Sequence, residues 1–226
     1  MLGLDASRLG EIVLTVCIVL VATILHEVAH AATAYKLGDA TAKERGRLTL
    51  NPAAHLDPVG SVLLPILMAI AGGPVFAFAK PVPYNPSRLK HPVRDEVLVA
   101  LAGPACNLVQ ALVGAVAFRL CYAGYAASVG TSAGFYVACD VSSSFVYINL
   151  MLMFFNLIPL PPLDGSAIIF PLLKGEARRR YYVVQRYAMP VLLAVLYLVP
   201  MLLHVDPVGM YLHATAGNLS MLLMGM

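Results

Sequence analysis

Residues 9–37 are apolar at almost every position as far as His26, and the run Ile12 to Leu25 is broken only by Thr15 and Thr23. This pattern predicts a membrane helix, stopped by Gly38-Asp39. Polar and basic positions follow (Lys43, Glu44, Arg45, Arg47), and Asn51-Pro52 and Asp57-Pro58 break the chain. Val59 to Ala71 is apolar but only 13 residues long, interrupted by Pro65 and closed by Gly72-Gly73-Pro74. Such a length predicts a re-entrant piece rather than a span. Val75 to Val82 reads as a short extended stretch between prolines. Glu96 to Tyr122 and Phe135 to Leu157 predict two further spans, and Pro159, Pro161 and Pro162 end the second. After a basic stretch from Lys174 to Arg186, Tyr187 to Leu203 and Val208 to Met226 complete the pattern. The last is weakened by His213, Asn218 and Ser220. The predicted fold class is an all-α polytopic membrane protein with about five to six membrane segments, a re-entrant segment and a short membrane-associated β element. A single domain over 1–226 is expected, with its core at 9–165 and C-terminal helices at 187–226.

Charge placement orients this arrangement. If Val59 to Ala71 dips in and returns, the loops at 36–57, 80–94 and 174–186 share one face and hold 13 of the 15 Lys and Arg residues. The loop Ala123 to Gly134 carries no charge. The positive-inside rule then makes the basic face cytoplasmic. It also predicts an external N-terminus and, with segments five and six each crossing, a cytoplasmic C-terminus.

Composition agrees. Sixty per cent of the 226 residues are apolar, 12% are charged, and the mean hydropathy is +0.80. A soluble sphere cannot be covered with so little charge. The net charge of +3 argues no nucleic-acid partner. Cys17, Cys106, Cys121 and Cys139 form no CxxC pair and read as small hydrophobes. Ile12 to Leu25 lacks a basic leader and a cleavage site, so it is read as a retained helix.

His26-Glu27-Val28-Ala29-His30 is an HExxH within the first helix. Positions i and i+4 lie on one helical face, so both imidazoles can reach one tetrahedral zinc, and Glu27 is placed as general base toward a water there. Three ionisable side chains in one turn of a membrane helix are costly and mark function. The alternative is a pair of interhelical histidines with a snorkelling glutamate. Two histidines leave a ligand missing, with His55, Asp57, His91, Asp140, Asp164 and His213 as candidates. Asp164 is favoured. It follows the proline-rich Asn156-Leu157-Ile158-Pro159-Leu160-Pro161-Pro162-Leu163, at the same predicted depth and side as the histidines, and Gly165 permits close approach. Its alternative is a plain turn residue.

These motifs, in this order, resemble the site-2 protease family of intramembrane zinc metalloproteases, and in particular small bacterial members without PDZ or CBS domains. The resemblance is carried by HEVAH at 26–30, LNPAAHLDPVG at 50–60, GGPVFAFAKPVPYNP at 72–86, LAGPACN at 101–107 and NLIPLPPLDG at 156–165. Residues 1–25 and 166–226 match only in hydropathy. The resemblance implies one Zn2+ per chain on His26, His30 and Asp164, Glu27 as general base, and Asn156 as an oxyanion donor. A carbonyl-capping role is the alternative for Asn156. It implies that 75–82 pairs with an unwound substrate. It also implies single-span membrane protein substrates within the lipid bilayer, a regulatory membrane partner, and a bacterial inner membrane location with the site toward the cytoplasm. His55 and Asp57 read equally as loop braces or water gates, and Asn107 as structural. Two competing functions remain. A metal transporter or sensor would need a polar path, for which Asn107, Gln110, Arg119, Asp140 and Asn149 offer no ligand set. A non-proteolytic helix-binding relative would lack Glu27 or a ligand.

Overall fold

The computed structural model describes residues 6–57, 80, 82–128 and 130–226. The described residues are mostly helical and contain no strand. Helix α1 (Ala6–Lys36) contains the HExxH, α2 is Pro92–Ala127 and α3 is Ala133–Asn156. They are followed by α4 (Asp164–Ile169), α5 (Gly175–Arg186) and α6 (Ala188–Leu203). A last helical run, α7, covers residues 207–224 and contains a π turn at His213–Gly217. Parts of α1, α2 and α3 are long and apolar enough to cross a membrane, and α5 and α6 together form a fourth candidate bent by 83°. The predicted re-entrant segment and nearly all of the predicted β element lie outside the described residues. Lys80 and Val82, the described members of that stretch or its flank, lie in no strand.

Two compact units make up the chain: Thr23–Gly103, and Met1–Ala22 with Pro104–Met226. Within Thr23–Gly103, α1 stops where expected. Gly38 takes φ +112°, a conformation open to glycine, and a Cβ there would meet the Arg88 carbonyl at 3.3 Å. The fully buried Asp39 carboxylate then accepts the Thr41 N–H at 3.0 Å, the Thr41 hydroxyl and the Asn85 N–H. It thereby ties the loop after α1 to the loop before α2. A second tie joins the two ends of 58–79. The Lys80 N–H donates to the His55 carbonyl at 3.0 Å, and the Arg47 guanidinium donates to the carbonyls of Ala54 and Lys80. The two described ends, at His55 and Lys80, therefore lie side by side. The buried Asp95 closes the start of α2 by accepting the His91 N–H at 2.9 Å.

In the other unit, α2 and α3 form an antiparallel hairpin. Gly124 faces Phe135, and Gly114 faces Phe145 and Val146. The Asn107 Nδ2 donates to Asn149 Oδ1 at 3.0 Å, and both side chains are fully buried. One stripe of the hairpin is lined by Ala111, Ala115 and Phe118 on α2 and Val146, Leu150 and Met153 on α3, and Ala216 and Met224 of α7 complete that core. The opposite stripe of α2, including Val109, Val113, Val116 and Leu120, is exposed, as a lipid-facing surface should be. The polar residues considered for a transport path have structural contacts instead. Besides the Asn107–Asn149 pair, the Gln110 Nε2 donates to the Ala22 carbonyl at 3.4 Å. The Arg119 Nε donates to the Leu223 carbonyl at 2.8 Å. Asp140 is exposed.

The direction of α7 differs from expectation. Near its start, the Tyr211 hydroxyl donates to the Phe154 carbonyl at 3.3 Å, close to the end of α3. Its last turn lies on Arg119, close to the end of α2. So α7 runs antiparallel to α3 and brings the C-terminus to the end of the bundle that carries the uncharged 123–134 loop, rather than to the basic side. The physical reason is that residues 157–206 leave and return at one end of this unit, with the 83° bend between α5 and α6 inside them. In a cysteine-free background, Thr131→Cys and Met226→Cys should react with a membrane-impermeant maleimide from the same side of sealed vesicles. Labelling from opposite sides would contradict this direction. Asn107→Ala should lower stability in detergent by about 1 kcal/mol, the scale of an interhelical hydrogen bond in a membrane, read from the thermal midpoint.

Candidate metal centre

The helical period of α1 puts His26 and His30 one above the other, with rings edge to face and centroids 4.6 Å apart. Both are buried, at 5% and 8% exposure. Their Nε2 atoms are 3.0 Å apart. A tetrahedral zinc with bonds of about 2.0 Å spaces two nitrogens by about 3.3 Å, so a shift of a few tenths of an ångström suits the pair to one ion.

The tautomer of His30 is set from outside its own helix. Its Nδ1 lies 2.6 Å from the Val99 carbonyl on α2. A carbonyl can only accept, so Nδ1 carries the proton and Nε2 is left with its lone pair. Orientation of a ligating imidazole by a backbone carbonyl is the common second partner of metal-binding histidines. Glu27, between them and half-buried, accepts the Val82 N–H on Oε2 at 3.0 Å. One carboxylate oxygen is thus held by the described end of the predicted extended stretch.

Asp164 belongs to the other unit. It opens α4, after Leu163 in extended conformation. Gly165 is what allows that turn: a Cβ there would lie 2.3 Å from the Leu157 carbonyl oxygen and 2.5 Å from that of Ile158. The close approach expected of this glycine is therefore real, and its partner is the backbone just past α3. Asn156 is the last residue of α3, and its Nδ2 donates to the Leu152 carbonyl at 2.9 Å. One amide hydrogen serves the carbonyl-capping alternative; the other is still available to a ligand.

The remaining candidates sort differently. His55 is buried, with Nε2 at 2.8 Å from the Thr49 carbonyl, and its own carbonyl receives the Lys80 N–H. It braces the loop. Asp57 is half-buried beside the undescribed stretch, whereas His91, Asp140 and His213 are exposed. Sequence reasoning missed the Val99 carbonyl and the Val82 amide, which as backbone groups have no side-chain signature. It also read Asp39 only as part of a helix stop, although Asn85-Pro86 marked the turn that it holds.

Comparison with known proteins now bears on the chain as a whole. The model described as Peptidase family M50 matches residues 132–199. YwhC of Bacillus subtilis (strain 168), named "Putative zinc metalloprotease YwhC", is 40% identical over 188 residues, covering 83% of this chain and 78% of that protein. The chain belongs to peptidase family M50, the site-2 protease family. "Putative zinc metalloprotease Rip2" of Mycobacterium tuberculosis (strain H37Rv) is 33% identical over 193 residues, covering 85% of this chain and 70% of that protein. No solved structure matches. This M50 peptidase is a zinc metalloprotease and a multi-pass membrane protein, with three helices among the described residues, or four spans if α5 and α6 are taken as one, long and apolar enough to cross a membrane. The family match extends to residue 199, so the likeness past Gly165 is more than hydropathy.

Asp39 yields a pH test. Burial pushes its carboxyl up, but hydrogen bonds from Thr41 and Asn85 and the nearby Arg88 charge outweigh that and leave it below the ordinary value. A depressed folded value contributes stability above the unfolded pKa of about 3.9, and that contribution disappears as pH falls through the folded value. Asp39→Asn should therefore be less stable than the wild type at neutral pH, with the gap closing on acidification below about pH 4. Thermal midpoints across pH measure this, and a gap that widens in acid would contradict it.

Proposed function

We propose that the chain is an intramembrane zinc metalloendopeptidase, which hydrolyses a peptide bond in or beside the transmembrane segment of a single-span membrane protein. The observation that carries this reading is the buried His26–His30 pair with Glu27 between them, inside a helix of membrane-spanning length and hydropathy. Polar groups of that kind belong to a site, since hydrocarbon tolerates them nowhere else. The donor set inferred from the sequence, His26, His30 and Asp164, offers two imidazole nitrogens and one carboxylate oxygen, the donors of a catalytic rather than a structural zinc. One such set supports one zinc per chain.

When bound, zinc supplies Lewis acidity toward the scissile carbonyl and brings the pKa of water toward neutrality. Glu27 takes a proton from the attacking water and passes it to the leaving amine, so that water adds across the broken C–N bond. The Val82 amide holds Glu27 Oε2 through this exchange and keeps the carboxylate from turning into the apolar helix face. The second Nδ2 hydrogen of Asn156 is offered to the oxyanion of the tetrahedral intermediate. The charge count supports a site toward the cytoplasmic face of a bacterial cell membrane, with the bilayer and the substrate helix as its partners.

Cleavage of tagged single-span membrane proteins, reconstituted with zinc, tests this. Glu27→Gln should keep its zinc and lose at least about 100-fold in rate, the scale of general acid–base catalysis. Asp164→Ala should lose both zinc and activity. Equal cleavage by wild type and Glu27→Gln would sink the assignment of the base.

A further inference from the structure

One feature of α2 is left without a role by the chemistry above. Gly103 faces the two imidazoles directly. A Cβ at this position would lie 2.4 Å from Nε2 of His26, 2.4 Å from Nε2 of His30 and 2.5 Å from Cε1 of His26. The other glycines of α2 meet different surroundings. Gly114 would touch Phe145 and Val146, and Gly124 would touch Phe135, the ordinary contacts of closely packed helices. At Gly103 the missing methyl group lets the α2 backbone pack directly against the Nε2 side of both rings, where a side chain of any size would push them apart.

We propose that Gly103 is a positioning residue of the metal centre: its lack of a side chain lets both imidazoles lie against α2 with their Nε2 atoms converging on one ion. The inference rests on the zinc-protease reading and deepens it. One stripe of α2 thus acts twice. Val99, one turn earlier, fixes the His30 ring through its carbonyl, and Gly103 gives both rings room to lie side by side against the helix. A single methyl is enough to separate metal binding from folding. The atoms it would strike are the ends of side chains, not backbone, and His26 can turn aside. His30 is restrained by its 2.6 Å bond to Val99, so the two rings would no longer converge. Alanine is also the better helix former.

The test is zinc affinity and content of the purified full chain in detergent, measured by elemental analysis and chelator competition, with size-exclusion profile and thermal midpoint as checks of fold. Wild type, Gly103→Ala and Gly114→Ala are compared. Gly103→Ala should remain folded and lose about 100-fold or more in zinc affinity, at or beyond the upper end of the ~10–100-fold seen on loss of an outer partner. Gly114→Ala should keep its zinc and change only the thermal midpoint. Zinc binding by Gly103→Ala at wild-type affinity would overturn this role of Gly103 while leaving the zinc-protease reading intact. A wild-type chain that binds no zinc would overturn that reading, and this role with it. If Gly103→Ala does not fold, Gly103→Ala/His26→Ala decides, because it removes the ring that the methyl strikes. Recovery of a monodisperse folded chain supports the role, and failure to recover shows that the clash lies elsewhere and overturns it.

Discussion

Two imidazoles and a carboxylate within one turn of an apolar helix must be given partners by the rest of the protein, because hydrocarbon offers none. Much of the Thr23–Gly103 unit follows from that need. The Val99 carbonyl accepts the hydrogen bond of His30 Nδ1–H, and the Val82 amide donates to one oxygen of Glu27. Gly103 brings α2 to within atomic contact of both rings. Each partner comes from outside α1, and two of them are backbone. The motif alone is therefore only a list of ligands, and its tautomer and spacing are properties of the packed unit.

The loops serve the same end by a different route. Irregular chain near a membrane must satisfy its own backbone groups. Here the buried Asp39 accepts from Thr41 and Asn85, while Arg47 gathers the carbonyls of Ala54 and Lys80. His55 joins in with both its ring and its carbonyl. These ties hold Lys80, two residues before Val82, and so they stand behind the bond to Glu27. A charge buried in a loop is costly unless several donors surround it, and Asp39 has them.

The second unit is built on close helix approach. Small residues at 111, 114, 115, 124 and 216 let α2, α3 and α7 pack without a large aliphatic core, as membrane helices do in the absence of a hydrophobic drive between them. Asn107 and Asn149 satisfy each other at the point where a polar side chain would otherwise face hydrocarbon. Arg119 is used at the end of α7, where its guanidinium donates to the Leu223 carbonyl and shares that of Leu222 with the Gly225 amide. Membership of family M50 accounts for the chemistry of the chain. The packing shows which of its membrane-depth polar groups are structural.

The sequence by itself determined what is local. Helical periodicity put His26, Glu27 and His30 within one turn, Gly38 marked the end of α1, and the prolines before Asp164 with Gly165 after it marked a close turn, because each signal lies in neighbouring side chains. Charge counting expected three basic loops on one face, and the His55–Lys80 bond joins two of them, 36–57 and 80–94. Only the tertiary structure decided the rest. It supplied the Val99 and Val82 partners, because every residue has a carbonyl and nearly every residue an amide, so the one that is used leaves no mark in the sequence. It also decided the direction of α7. Hydropathy made 187–203 and 208–226 each a crossing, and one segment that bends back reverses the sense of every element after it.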